Sequence, residues 1–128
     1  MRAAILAVFA VGVLAVAACQ QTSVRGPEGE KLTSTAPLSM TLRRGESAPL
    51  KVGIDRENFK GPVTVAIAQL PKGVDADKST MTVDAASATF SLTASKTADI
   101  VAKQAVIVTV AALDGRTTTQ YVDLTVTD

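Results

Sequence analysis

Residues 38–67 read LSMTLRRGESAPLKVGIDRENFKGPVTVAI, and the alternation inside this stretch decides the fold. Leu38, Met40 and Leu42 alternate with Ser39 and Thr41; Leu50, Val52 and Ile54 with Lys51 and Gly53; Val63, Val65 and Ile67 with Thr64 and Ala66. A period of two places each apolar set on one face of a strand. Between the runs lie Arg43-Arg44-Gly45-Glu46 and Glu57-Asn58-Phe59-Lys60-Gly61-Pro62, rich in the residues that turns require. The same alternation continues through Met81-Thr82-Val83, through Ala88, Phe90 and Leu92, through Val106, Val108 and Val110, and through Val122, Leu124 and Val126. About seven such runs without a sustained helical period predict an all-β domain over residues 38–128, an antiparallel two-sheet sandwich.

Two local features sharpen this expectation. Phe59 sits in a turn-rich segment yet is one of few aromatics, so its ring is expected to plug the end of the core. A two-residue turn at Asp114-Gly115 would place the apolar sets of the last two strands on opposite faces of their sheet, because a one-residue slip reverses every side chain. A three-residue connection or a bulge between Leu113 and Gln120 is therefore expected, with Val108 opposite Val122.

Composition removes several function classes. The chain of 128 residues has no histidine and one cysteine, Cys19. The usual general base, the usual zinc ligands and any intrachain disulfide are thereby missing. The formal charge is +1, and discounting Arg2 leaves the remainder neutral, which gives no support to a nucleic-acid role. No cofactor is implied.

The N-terminus carries the most specific motif. Met1-Arg2 is a short basic start, Ala3 to Ala18 is apolar apart from Gly12, and the run is shorter than the roughly 20 residues of a spanning helix. Residues 1–18 therefore read as an export signal. Val16-Ala17-Ala18-Cys19 resembles the lipobox of bacterial lipoproteins. The resemblance implies cleavage between Ala18 and Cys19 and a diacylated Cys19 sulfur, so the membrane becomes a partner through lipid. In a diderm host Gln20 favours the outer membrane, facing either the periplasm or the surface. Residues 19–37 are the lipidated cysteine and a polar segment containing Gly-Pro and Glu-Gly, expected to be a flexible tether. A short helix or an additional strand around Lys31-Leu32-Thr33 is the alternative there.

The segments Asn58-Phe59-Lys60-Gly61-Pro62-Val63-Thr64-Val65, Leu70-Pro71-Lys72-Gly73-Val74 and Val122-Asp123-Leu124-Thr125-Val126 make the domain resemble bacterial immunoglobulin-like modules. That resemblance implies a fold and no shared catalytic residues. It also implies that three strand connections gather at one end, opposite the tether, bringing Arg43, Arg44, Lys72, Lys78, Lys96 and Lys103 together against Glu46, Asp75, Asp77 and Asp99. The basic excess is slight, so a solvated loop end competes with an anionic-polymer site. Ile107 and Tyr121 are expected to face outward on neighbouring strands as a small apolar spot.

Catalytic motifs are poor. The pairs Asp75/Asp77 and Asp55/Glu57 read as solvated loop acids, since neither follows a calcium-loop pattern. No serine sits in a Gly-x-Ser-x-Gly elbow, and Ser79 beside Lys78 is too common a combination to weigh. The sequence thus points to a non-enzymatic, lipid-anchored protein of the bacterial cell envelope. Its domain binds or supports another envelope protein, with recognition of an envelope polysaccharide as the alternative.

Overall fold

A computed structural model describes residues 19–128. The expected signal peptide and Ala18 lie outside the described residues. The chain forms β1 (Cys19–Arg25), β2 (Lys31–Pro37), β3 (Ser39–Arg43), β4 (Ser47–Glu57), β5 (Val63–Ala68), β6 (Val74–Ala76), β7 (Thr80–Val83), β8 (Ser87–Ala94), β9 (Val101–Ala112) and β10 (Thr117–Thr127). They build two five-stranded sheets, ordered β1-β2-β4-β8-β6 and β3-β10-β9-β5-β7, one of them curled as a half-barrel.

The alternating residues fill the space between the sheets. Leu50, Val52 and Ile54 of β4 and Ala88, Phe90 and Leu92 of β8 meet Val63, Val65 and Ile67 of β5, Val106, Val108 and Val110 of β9, and Val122, Leu124 and Val126 of β10. Phe90 is fully buried and is the largest side chain of this core. Each Val, Leu or Phe removed from water contributes about 1.5–3 kcal/mol, so the interior rests on many small aliphatic side chains around one ring. Phe59 packs against this core from the β4–β5 connection, as its composition suggested.

Three expectations are corrected. The strand count is ten rather than about seven: every alternating run is a strand, and β1, β2 and β6 are added. The segment expected as a tether, residues 19–37, is a β-hairpin. Its Gly-Pro and Glu-Gly form the turn, closed by the Gly26 N–H donating to the Glu30 carbonyl at 2.8 Å, with Gly29 at a φ of 84°. Leu32, Ser34 and Ala36 point inward from β2, so one polar and one small residue stand where bulkier apolar residues would have revealed the strand. Finally, the sandwich is not wholly antiparallel, because β3 pairs with β10 in parallel. Pro37 has no N–H with which to continue the β2 ladder. The chain crosses there to the second sheet without reversing direction, and the Leu38 carbonyl accepts the Asp123 N–H at 2.9 Å.

The β9–β10 connection has the expected three residues. Ala112 bonds across to Arg116, and Gly115, at a φ of 95°, donates back to the Ala112 carbonyl. Both valine sets consequently face the core. The pairing differs from expectation by two positions, since Val108 lies opposite Gln120 and Val122 opposite Val106.

Gly73 fixes the end of the molecule. It has a φ of 88°, and a Cβ there would lie 2.5 Å from the Ala98 Cα. The Lys72 and Gly73 carbonyls accept the N–H groups of Asp99 and Ser95. Only glycine allows this approach of the 70–73 loop to the 95–99 loop. Gly73→Ala should lower the unfolding free energy in urea by roughly 1–3 kcal/mol or more. Gly115→Asn, at a site with nothing within 4 Å of an added Cβ, should change it by far less. Equal losses at the two positions would contradict the close approach.

Candidate functional site

Cys19 is exposed and opens β1 in register with Pro37. It is held there by Gln20, whose side-chain amide donates to the Pro37 carbonyl at 3.2 Å and to the Tyr121 carbonyl, while the Gln120 amide donates to the Gln20 carbonyl at 3.0 Å. The β2–β4 ladder ends at the Thr35–Gly53 pair. Beyond it β2 turns away toward the second sheet, leaving a depression of about 380 Å³ that Cys19 lines with Thr35, Pro37, Pro49, Lys51 and Gly53. Cys19 therefore stands partway along a sheet edge, and the chain does not arrive at the end opposite the basic turns.

The basic residues meet only in part. The segments bearing Arg43, Arg44, Lys72 and Lys96 come together, since the Gly45 N–H donates to the Ala94 carbonyl and Lys72 bonds Asp99. The Arg44 Nε donates to the Ala98 carbonyl at 2.8 Å, and its guanidinium lies 3.8 Å from the Asp128 carboxylate. Arg44 is thus used in holding the loop. Lys78 lies in the β6–β7 link, and Lys103, at a φ of 55°, lies near the start of β9, where its N–H donates to the Thr125 hydroxyl.

Ile107 and Tyr121 are direct cross-strand neighbours on β9 and β10. Tyr121 is 56 % exposed. Around them the outer face of the second sheet carries Thr109, Ala111, Thr119 and, across β5, Thr64 and Ala66. Charge is sparse on this face.

Residue composition did not single out Arg116. Its guanidinium sits 4.6 Å from the Phe59 ring centroid, 2.7 Å from the Asp114 carboxylate and 3.9 Å from that of Glu30. One cation thereby joins the β1–β2 turn, the β9–β10 turn and the Phe59 plug. The guanidinium atoms Nε and Nη1 lack hydrogen-bond partners and face the aromatic ring and the ion pair instead. A loop arginine next to a loop phenylalanine in space has no signature in the linear sequence. Hydrogen bonding by the Glu28 N–H, aided by the Glu30 N–H and Arg116, holds the Glu30 carboxyl below its ordinary range. The Arg116 side chain does the same for Asp114.

The acid pairs do not converge. Asp77 accepts the Ser91 N–H at 3.0 Å, and Asp55 and Glu57 lie on β4 rather than in a loop. Among the described residues no three Cys, Asp or Glu side chains gather as metal ligands, and no helix is long and apolar enough to cross a membrane. Comparison with protein-family models, curated proteins and solved structures returned no match to this chain.

Because both carboxyls of the Arg116 cluster are depressed, their stabilisation is present above the ordinary values, 4.5 for Glu30 and 3.8 for Asp114, and is lost as pH falls through the lower folded values. The double variant Glu30→Gln, Asp114→Asn should flatten the acid limb of stability against pH below about 4.5 in urea titrations. An acid limb as steep as that of the parent protein would count against the cluster.

Proposed function

We propose that this chain is a lipid-anchored protein of the bacterial cell envelope whose β-sandwich is an immunoglobulin-like module that binds or supports another envelope protein. The observation that carries the reading is Val16-Ala17-Ala18-Cys19 closing a basic-then-apolar leader, with Cys19 itself exposed. Supporting the immunoglobulin-like assignment, β2-β4-β8-β6 and β10-β9-β5 have the order of the A-B-E-D and G-F-C strands of that architecture, leaving β1, β3 and β7 as additions.

Support for a protein partner comes from the face around Ile107 and Tyr121, where charge is sparse and an exposed aromatic is central, as in the cores of protein interfaces. The alternative, an envelope polysaccharide, draws on the same tyrosine standing among threonine hydroxyls. No enzymatic role is proposed.

Cys19→Ser should move the protein from the membrane to the soluble envelope fraction; persistence in the membrane would overturn the anchor. A photo-cross-linking residue at Thr119 should yield one discrete protein adduct in intact cells. Smeared adducts together with glycan-array binding would favour the polysaccharide.

A further inference from the structure

We infer that the outer face of the first sheet around Cys19 rests directly on the lipid bilayer, so that the domain is held against the membrane and not suspended from it. This rests on the reading that Cys19 carries lipid. Cleavage before Cys19 would leave no residue between the acylated sulfur and β1, because Cys19 is itself paired with Pro37.

The geometry leaves little slack. From the Cys19 Cα to the ester oxygens of a sulfur-linked glyceryl group there are about five bonds of roughly 1.5 Å each, so the bilayer interface lies within roughly 7 Å of the backbone. Gln20 supplies no hinge, being bonded to Pro37, Tyr121 and Gln120. Cys19 shares its outward face with Pro37 and Thr35 by strand alternation, beside Pro49, Lys51 and Gly53.

The chemistry of this patch suits a lipid surface. Two proline rings and a glycine border the depression, and its only charged side chain is Lys51, whose ammonium complements lipid phosphates. Of the acidic residues on this face, Asp55 and Glu57 lie farther along β4, with Glu57 opposite Lys31, and Asp75 lies on β6 at the opposite edge of the sheet, beyond β8. Approach at the β1 edge therefore brings Cys19, the two prolines and Lys51 to the bilayer first, with Asp55 and Glu57 farther along β4 and Asp75 at the opposite edge of the sheet.

The test uses the full-length protein in its native envelope membranes, where acylation blocks the Cys19 sulfur and a second cysteine can be labelled alone. A polarity-sensitive fluorophore is placed at Pro49→Cys or, on the opposite face, at Thr119→Cys, and nitroxide-bearing phospholipids are added. The expected result is blue-shifted emission at Pro49→Cys and quenching several-fold stronger than at Thr119→Cys. A flexible Gly/Ser insertion between Cys19 and Gln20 should abolish that difference while the protein stays membrane-bound. Equal, solvent-like signals at both positions in an anchored protein would overturn the proposal. So would a blue shift at Pro49→Cys without lipid quenching, which indicates coverage by protein. A soluble, unacylated protein would instead overturn the anchor reading, as mass analysis of the N-terminal peptide would show.

Discussion

The side-chain amide of Gln120 is the constraint on which the rest of the arrangement depends. It is 2 % exposed and lies between the sheets, where an unpaired amide would cost about 1–3 kcal/mol. Its oxygen accepts the Ser34 hydroxyl at 3.0 Å and its nitrogen donates to the Gln20 carbonyl. Ser34 has only one proton to give, so Thr118, 2.8 Å away, donates to Ser34. Every member is satisfied only when β1, β2 and β10 keep one mutual position.

That polar seam closes the side of the sandwich that aliphatic packing leaves weakest. The interior is mostly valine, leucine and alanine, and the β1–β2 hairpin offers it only Leu32 and Ala36 as fully buried apolar side chains. Hydrogen bonds give less net stabilisation than burial does, but they are directional. They set the register of β1, and with it the direction of Cys19. At the far end of the same hairpin, Arg116 pairs electrostatically with Glu30 of the turn and lies over the Phe59 ring, so the hairpin is held at both ends.

The balance between packing and polar fastening explains which parts were legible in the sequence. Where Val, Leu or Ile alternates with a polar residue, as at Leu50-Lys51-Val52, a strand forms with the expected inward face, except that Leu38 falls before β3 and is exposed. Of the hairpin over residues 19–37, β2 matches the alternative strand around Lys31-Leu32-Thr33, whereas β1 has no sequence signal because Gln20, Thr22 and Ser34 occupy the inward positions and polar residues there look like linker. The short β6 follows a Pro-Lys-Gly turn and has a single buried residue, Val74, too few for a period. Parity at the β9–β10 turn was readable from the valines, whereas the pairing itself needed the turn geometry that Gly115 supplies. Cys19 is marked by the residues before it, yet its place within a strand depends on Gln120, a hundred positions away.

The two outer faces of the sandwich therefore have different chemical characters, and their opposition follows from the fold. Cys19, Pro49 and Lys51 lie on the outer face of one sheet; Ile107, Thr119 and Tyr121 lie on the outer face of the other. Packed sheets are about 10 Å apart, so side chains on the two outer faces point away from each other across the whole thickness of the domain. With the first face against lipid, the sparsely charged second face would be turned outward, beyond the headgroups and accessible to a partner. An anchor on a long tether would leave that orientation to chance. The proposed anchor, built into β1, would couple it to the same hydrogen bonds that close the core.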